Sequence, residues 1–171
     1  MTIKEVLLLG NPNLREICAH IEEFNSNLDN IVEDLKDTLL QLQKEKRIGR
    51  AIAAPQIDYL KRVIFYNLPD RTFTMVNPEI IWHSKETIDV WDSCFCFKVE
   101  FFVNIRRYKT IKVQFQDKKG NKVVETFDNS ISELVQHEID HLNGILATDH
   151  LQDMKNIIMR AEWEQRYRKD G

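Results

Sequence analysis

The stretch Gln136–Gly144, QHEIDHLNG, sets two histidines four positions apart with a glutamate directly after the first. Residues four apart share one face of an α-helix, so His137 and His141 can offer two imidazoles to one ion. Glu138 is offset by one residue and can lean over an open coordination position, there to take a proton from water. The bland alternative is a surface helix with incidental histidines, because HExxH alone is a permissive pattern. The helix is expected from about Ser130 to Asn143, with Asn129 or Ser130 as cap and Gly144 as stop.

Two imidazoles need at least a third donor. The spacing HExxHxxGxxH would supply a histidine, but Ala147 stands in that place. A glutamate from a later helix is a second possibility, and Glu162 or Glu164 in RAEWEQR could serve. A thiolate is the third. Cys94 lies in DSCFC at the expected end of a strand, and Cys96 is its competitor. Residues i and i+2 on a strand face the same way, so periodicity does not choose between them. One sulfur and two imidazoles suit Zn(II) or Fe(II) and leave one position for water.

Working outward, 171 residues allow one domain with a real core, expected over 1–171. The net charge of −3 argues against direct nucleic-acid binding. No early apolar run is long enough for a signal peptide, and none approaches the ~20 residues that span a bilayer, which places the protein in the cytoplasm and off the membrane. Three cysteines give no disulfide framework.

A turn is expected at Gly10–Asn13 and a long amphipathic helix from Ile21 to about Lys46. Strand-like runs follow at RVIFYNL, TFTMVNPEII and ETIDVWDSCFCF, and Ile111, Val113 and Phe115 alternate with polar residues in a half-buried strand. DKKGNK reads as the turn of a hairpin returning through KVVETF. Residues 151–168 have helical periodicity, and the terminal RYRKDG reads as a solvated tail. Trp82 and Trp91 read as core, and Trp163 as packing the last helix down. His20, His83 and His150 have no ligand spacing. The fold class is α+β, with antiparallel sheets around a central HExxH helix, a long helix in the N-terminal half and a C-terminal helix outside.

Three ordered segments then resemble the signatures of the peptide deformylase family. GRAIAAPQ (Gly49–Gln56) resembles GxGxAAxQ, DSCFC (Asp92–Cys96) stands where EGCLS is expected, and HEIDH matches HExDH in full. The surrounding LGNPNLR, RYKTIKVQFQDKKG and HLNGILATDH are similar too, so the likeness spans most of the chain. It implies a metal-dependent hydrolase that removes the formyl group from the N-terminal methionine of nascent polypeptides, met at the ribosome by a monomer. By position it implies Cys94, His137 and His141 as ligands, with Cys96 on the family's serine. It makes Glu138 the general base acting on water at the metal and then the proton donor to the leaving amine. Gln56 and the backbone N–H of Phe95 would hold the developing oxyanion. Fe(II) is the implied ion, with Zn, Ni or Co able to occupy the site.

The motifs also depart from the pattern. Ala51 replaces a glycine, at a cost of about 1 kcal/mol if the loop needs φ > 0 there. Arg50 stands where an apolar residue is usual, beside the expected peptide path, and Gly49 fits a backbone that comes close to substrate. Asp92 replaces a glutamate that pairs with an arginine; Arg107 is the candidate partner and Arg106 the second, and the shorter acid is expected to reach less well. Ser93 replaces glycine and Phe95 leucine. Glu133, four before His137, stands where the family shows an apolar residue lining the methionine pocket. Either it points to solvent and favours the helix start, or with Arg50 it alters the pocket and disfavours plain methionine. Two rivals stay open: a zinc peptidase using Glu162 or Glu164, and a deformylase-like binding protein without turnover.

Overall fold

The helices are α1 (Ser26–Lys46), α2 (Asn129–Leu142) and α3 (Arg160–Arg166), in a computed structural model that describes residues 2–168. The strands are β1 (Ala51–Ala53), β2 (Val63–Asn67), β3 (Thr72–His83), β4 (Thr87–Asp92), β5 (Phe101–Tyr108), β6 (Thr110–Gln116), β7 (Lys122–Asp128) and β8 (Ile157–Met159). They form an antiparallel five-stranded sheet, β1-β2-β3-β6-β7, and an antiparallel three-stranded sheet, β4-β5-β8.

The period-two pattern of β2 explains the layering. Val63 and Phe65 face one side and pack with Leu28, Leu35 and Leu39 of α1, while Ile64 and Tyr66 face the other and pack with Leu134, Val135 and Ile139 of α2. Nine of the fourteen α2 residues are buried, His137 and Glu138 among them, which removes the surface-helix alternative. Gln136 ties α2 to β5 by accepting from the Tyr108 N–H (3.1 Å) and donating to the Tyr108 carbonyl (2.8 Å). Asp128, not Asn129 or Ser130, is the residue at the N-cap.

Several expectations need correction. Residues 21–25 are extended, and α1 starts only after Asn25, whose side chain accepts from the Asn27 N–H. The cause is Asn77, whose side-chain amide accepts from the Ile21 N–H and donates to the Ile21 carbonyl, each at 2.8 Å, as a strand neighbour would. Asn77 can do so because it lies at φ 50° before Pro78, where β3 shifts register. Trp82 is 51% exposed at the outer end of β3, so it is not core. The segment 151–168 is α-helical only over α3, with a 3-10 turn over Met154–Asn156. Its residues 157–159 alternate, with Ile158 turned inward, and their backbone completes the edge of β5. Strands β1, β5 and β8 had not been anticipated. Trp163 stacks on Phe102 with ring centroids 4.1 Å apart, and Gly171 with its two predecessors in RYRKDG lies outside the described residues.

Candidate metal centre

Strand β4 ends at Asp92, and Cys94 then caps a 3-10 turn over Phe95–Phe97. The turn is fastened from Ser93, whose hydroxyl donates to the Phe101 carbonyl at 2.6 Å. Cys94 and Cys96 are therefore not alternate positions on a strand. The Cys96 backbone N–H points back at the Cys94 sulfur at 3.3 Å, and both sulfurs face inward.

Three donor atoms converge from two elements. Cys94 Sγ lies 3.2 Å from His141 Nε2, which lies 3.2 Å from His137 Nε2. The donor atoms that lie mutually within 4.8 Å are those of Cys94, Cys96 and His141, so the second sulfur belongs to the cluster, and His137, outside that group, reaches it through His141. The far side of His137 is fixed by Asp92, at 2.9 Å from Nδ1. That acceptor keeps a proton on Nδ1, so Nε2 is the nitrogen that can give up its proton to a cation. Asp92 also takes Arg107 Nη2 at 3.0 Å; Arg107 Nη1 goes on to Asp140, whose other partner is His150 Nε2 at 2.8 Å. The shorter acid reaches both partners, against expectation. Arg106 lies outside, paired with Asp89 on the surface.

Electrostatics follow from burial. Burial opposes a charge on His137, but the carboxylate of Asp92 outweighs it and holds the ring up to about 9. Burial, with the neighbouring charge of His137, pushes His141 down to about 3. Burial raises Glu138 to about 7. It also pushes the Cys94 thiol up, with Cys96 held down by the hydrogen bond from that thiol. A buried thiol of this kind becomes a thiolate when a cation compensates its charge. Two buried polar atoms beside the cluster, Glu138 Oε2 and His141 Nδ1, have no protein partner. Orphaned buried groups are rare, and these flank a mixed sulfur and nitrogen donor set that fits a divalent ion such as zinc or iron.

Gln56 belongs to the site and is not a solvated turn residue. It is 1% exposed in a 3-10 turn over Ala54–Ile57, with Oε1 accepting from the Ala53 N–H and Nε2 donating to Cys94 Sγ at 3.3 Å. Nε2 also reaches Cys96 Sγ at 3.6 Å. Ala51 lies within β1 with no positive φ, so its methyl carries no left-handed strain. Gly49 does need its freedom. Its φ is +112°, and a Cβ there would come within 2.2 Å of the Phe95 ring.

A cavity of about 230 Å³ reaches the cluster, with Gln56, Cys94, His137 and Glu138 among the residues that line it. Trp91, Phe102 and Trp163 line it too, as do Arg50 and Glu133. Glu133 does not point to solvent: its side chain is 13% exposed and pairs with Arg50 at 2.5 Å. Glu162 and Glu164, the alternative third ligands, are engaged on α3 by Arg166 and by Arg160 with Arg168. The roles of Trp163 in the cavity and of Asp140 and His150 behind Arg107 had no signal in the sequence, since each depends on contacts between distant segments.

The family model for polypeptide deformylase matches residues 3–157. A peptide deformylase of Brachyspira hyodysenteriae is 31% identical over 171 aligned residues, covering 95% of this chain and 88% of that protein. One from Heliobacterium modesticaldum is 35% identical, covering 90% and 97%. The crystal structure of peptide deformylase from Thermotoga maritima superposes with a TM-score of 0.82 at 30% identity, covering 90% of this chain and all of that one. With the model spanning most of its length and the relatives covered nearly end to end, this chain belongs to the peptide deformylase family.

Proposed function

We propose that the protein hydrolyses the formamide at the N-terminus of nascent polypeptides through the residues gathered under the cavity. It is an enzyme, a peptide deformylase, and the finer assignments that follow rest on its geometry. The observation that carries the reading is the run of contacts from Cys94 to His141 to His137, with the unpartnered Glu138 Oε2 beside it and Cys94, His137 and Glu138 lining one cavity. Cys94, His137 and His141 would hold a divalent ion, for which we propose Fe(II), and Cys96 contributes a second sulfur to the same cluster. When bound, such an ion supplies Lewis acidity and lowers the pKa of water toward ~7.

The reaction adds water to the formyl carbon, breaks its C–N bond and releases formate and a free amine. Glu138, raised to about 7 by burial, is basic enough to accept the proton and acidic enough to return it to the leaving nitrogen. The Gln56 amide and the Phe95 N–H stabilise the charge that grows on the formyl oxygen. Phe95 opens a 3-10 turn, where backbone N–H groups lack acceptors inside the turn. Asp92 and Arg107 orient His137. The chain works as one domain and as a monomer on nascent chains at the ribosome, in the cytoplasm; no described helix is long and apolar enough to cross a membrane.

The test is hydrolysis of formyl-Met-Ala-Ser by protein purified without oxygen, with bound metal measured beside Cys94→Ala and Glu138→Ala. Loss of metal in the first and of turnover alone in the second is expected. Full metal in Cys94→Ala would favour a different ligand set.

A further inference from the structure

Two opposite charges, Arg50 and Glu133, line the same cavity as the apolar side chains of Ile48, Val99, Phe102 and Trp163 and the polar groups of the candidate centre. Glu133 stands one helical turn before His137, so its side chain lies close to the reacting centre along α2. Its Oε1 takes Arg50 Nη2 at 2.5 Å, and Arg50 Nη1 is anchored to the Ser130 carbonyl at 3.1 Å. Glu133 is largely enclosed and Arg50 about one-third exposed. The pair therefore faces the cavity with hydrogen-bonding capacity left over. A guanidinium has five N–H donors, and a carboxylate has more lone pairs than one contact uses. Val99, Phe102 and Trp163 line the same cavity and offer apolar surface to an aliphatic stem.

The chemistry of an entering side chain follows. An apolar end group would strip water from the pair and return no hydrogen bond, which is unfavourable. A cationic end would compete with Arg50 for Glu133 and leave the guanidinium unmatched. An anionic end would do the reverse. The first leaves a partly exposed guanidinium without its partner, and the second an enclosed carboxylate. A neutral group that both donates and accepts satisfies the two charges together and separates neither.

We infer that the Arg50–Glu133 pair selects formyl peptides whose first side chain is unbranched and ends in a neutral carboxamide, as glutamine does. The inference rests on the deformylase reading and names the substrate class for the same site. Specificity of this kind is visible because a polar wall discriminates against a partner lacking the matching group more sharply than an apolar wall discriminates by size.

The experiment measures kcat/KM of the metal-loaded wild type on formyl-X-Ala-Ser, with X as glutamine, norleucine, methionine, lysine or glutamate. The glutamine peptide is expected to exceed the norleucine peptide by about 10-fold or more. In the double variant Arg50→Leu with Glu133→Leu, norleucine and methionine should overtake it. Wild type preferring norleucine, methionine, lysine or glutamate overturns the inference and leaves the deformylase reading standing. No hydrolysis of any of the five overturns the reading itself. The wild-type order decides the matter even where the double variant does not fold.

Discussion

Replacing Asp92 with asparagine tests the site from behind. The carboxylate is 6% exposed and holds two groups at once, His137 Nδ1 at 2.9 Å and Arg107 Nη2 at 3.0 Å. Asparagine has the same shape but one acceptor oxygen. If that oxygen keeps Arg107, the NH2 faces His137 Nδ1 and forces the ring proton onto Nε2, the atom directed at His141. Breaking a buried ion pair costs about 3–5 kcal/mol. Arg107 keeps Asp140, so the lower end, about 3 kcal/mol, is expected. For a chain of this length that lowers Tm by about 6–12 °C. Metal affinity should fall about 10–100-fold, since Asp92 sets which ring nitrogen is free. Arg107 and His137 hold Asp92 below the usual carboxylate range against the effect of burial. Its contribution is therefore present above the unfolded carboxylate pKa and lost as pH falls. The stability gap between wild type and Asp92→Asn should be full at pH 7 and shrink below about pH 4. Urea melts at both pH values, with chelator competition for metal affinity, read this directly. A variant within about 0.5 kcal/mol of wild type at pH 7, with unchanged metal affinity, would refute the reasoning.

Glu138→Gln should lower kcat by about 10²–10⁴-fold while metal content stays the same. Because burial raises the Glu138 pKa from 4.5 to about 7, the metal-free fold loses up to about 3 kcal/mol as pH rises through that window. The metal-free glutamine variant should therefore melt above wild type at pH 8 and level with it at pH 4. In the metal-loaded wild type, kcat/KM should fall as pH drops through the Glu138 pKa, which a neighbouring cation holds below its metal-free value, and a flat profile would remove Glu138 as the base. Cobalt-loaded protein should keep its sulfur-to-cobalt absorption in Cys96→Ser and lose it in Cys94→Ser; the reverse result would exchange the two sulfurs. Gly144→Ala places a Cβ 2.3 Å from the Arg15 carbonyl oxygen at φ +71°, so a loss of about 2–4 kcal/mol is expected in a urea melt.

Much of the site was legible because its chemistry is local. His137, Glu138 and His141 share one helical segment, and i, i+4 spacing reports their common face whatever the rest of the chain does. The hairpin of β6 and β7 was equally plain from alternation around Gly120. The start of α1 was not, because Asn77 captures the backbone of Ile21 from across the fold. Nor was the strand β8, whose three residues gain their partner only from β5. Glu133 shows the same limit within the site. Its position on α2 could be read, but its pairing with a residue 83 positions away could not. Choosing between Cys94 and Cys96 by strand periodicity failed for a simpler reason: the backbone there turns into a 3-10 helix.

Cys94 arrives from the end of the three-stranded sheet, whereas the two histidines ride on a helix that packs against the five-stranded one. An ion joining them would act as a rivet across the seam, closing a loop of 47 residues between Cys94 and His141 much as a covalent cross-link would. Chelation should accordingly do more than stop turnover. It should loosen one half of the molecule from the other, so that amide exchange rises along β4 and α2 together while the β6–β7 hairpin stays protected.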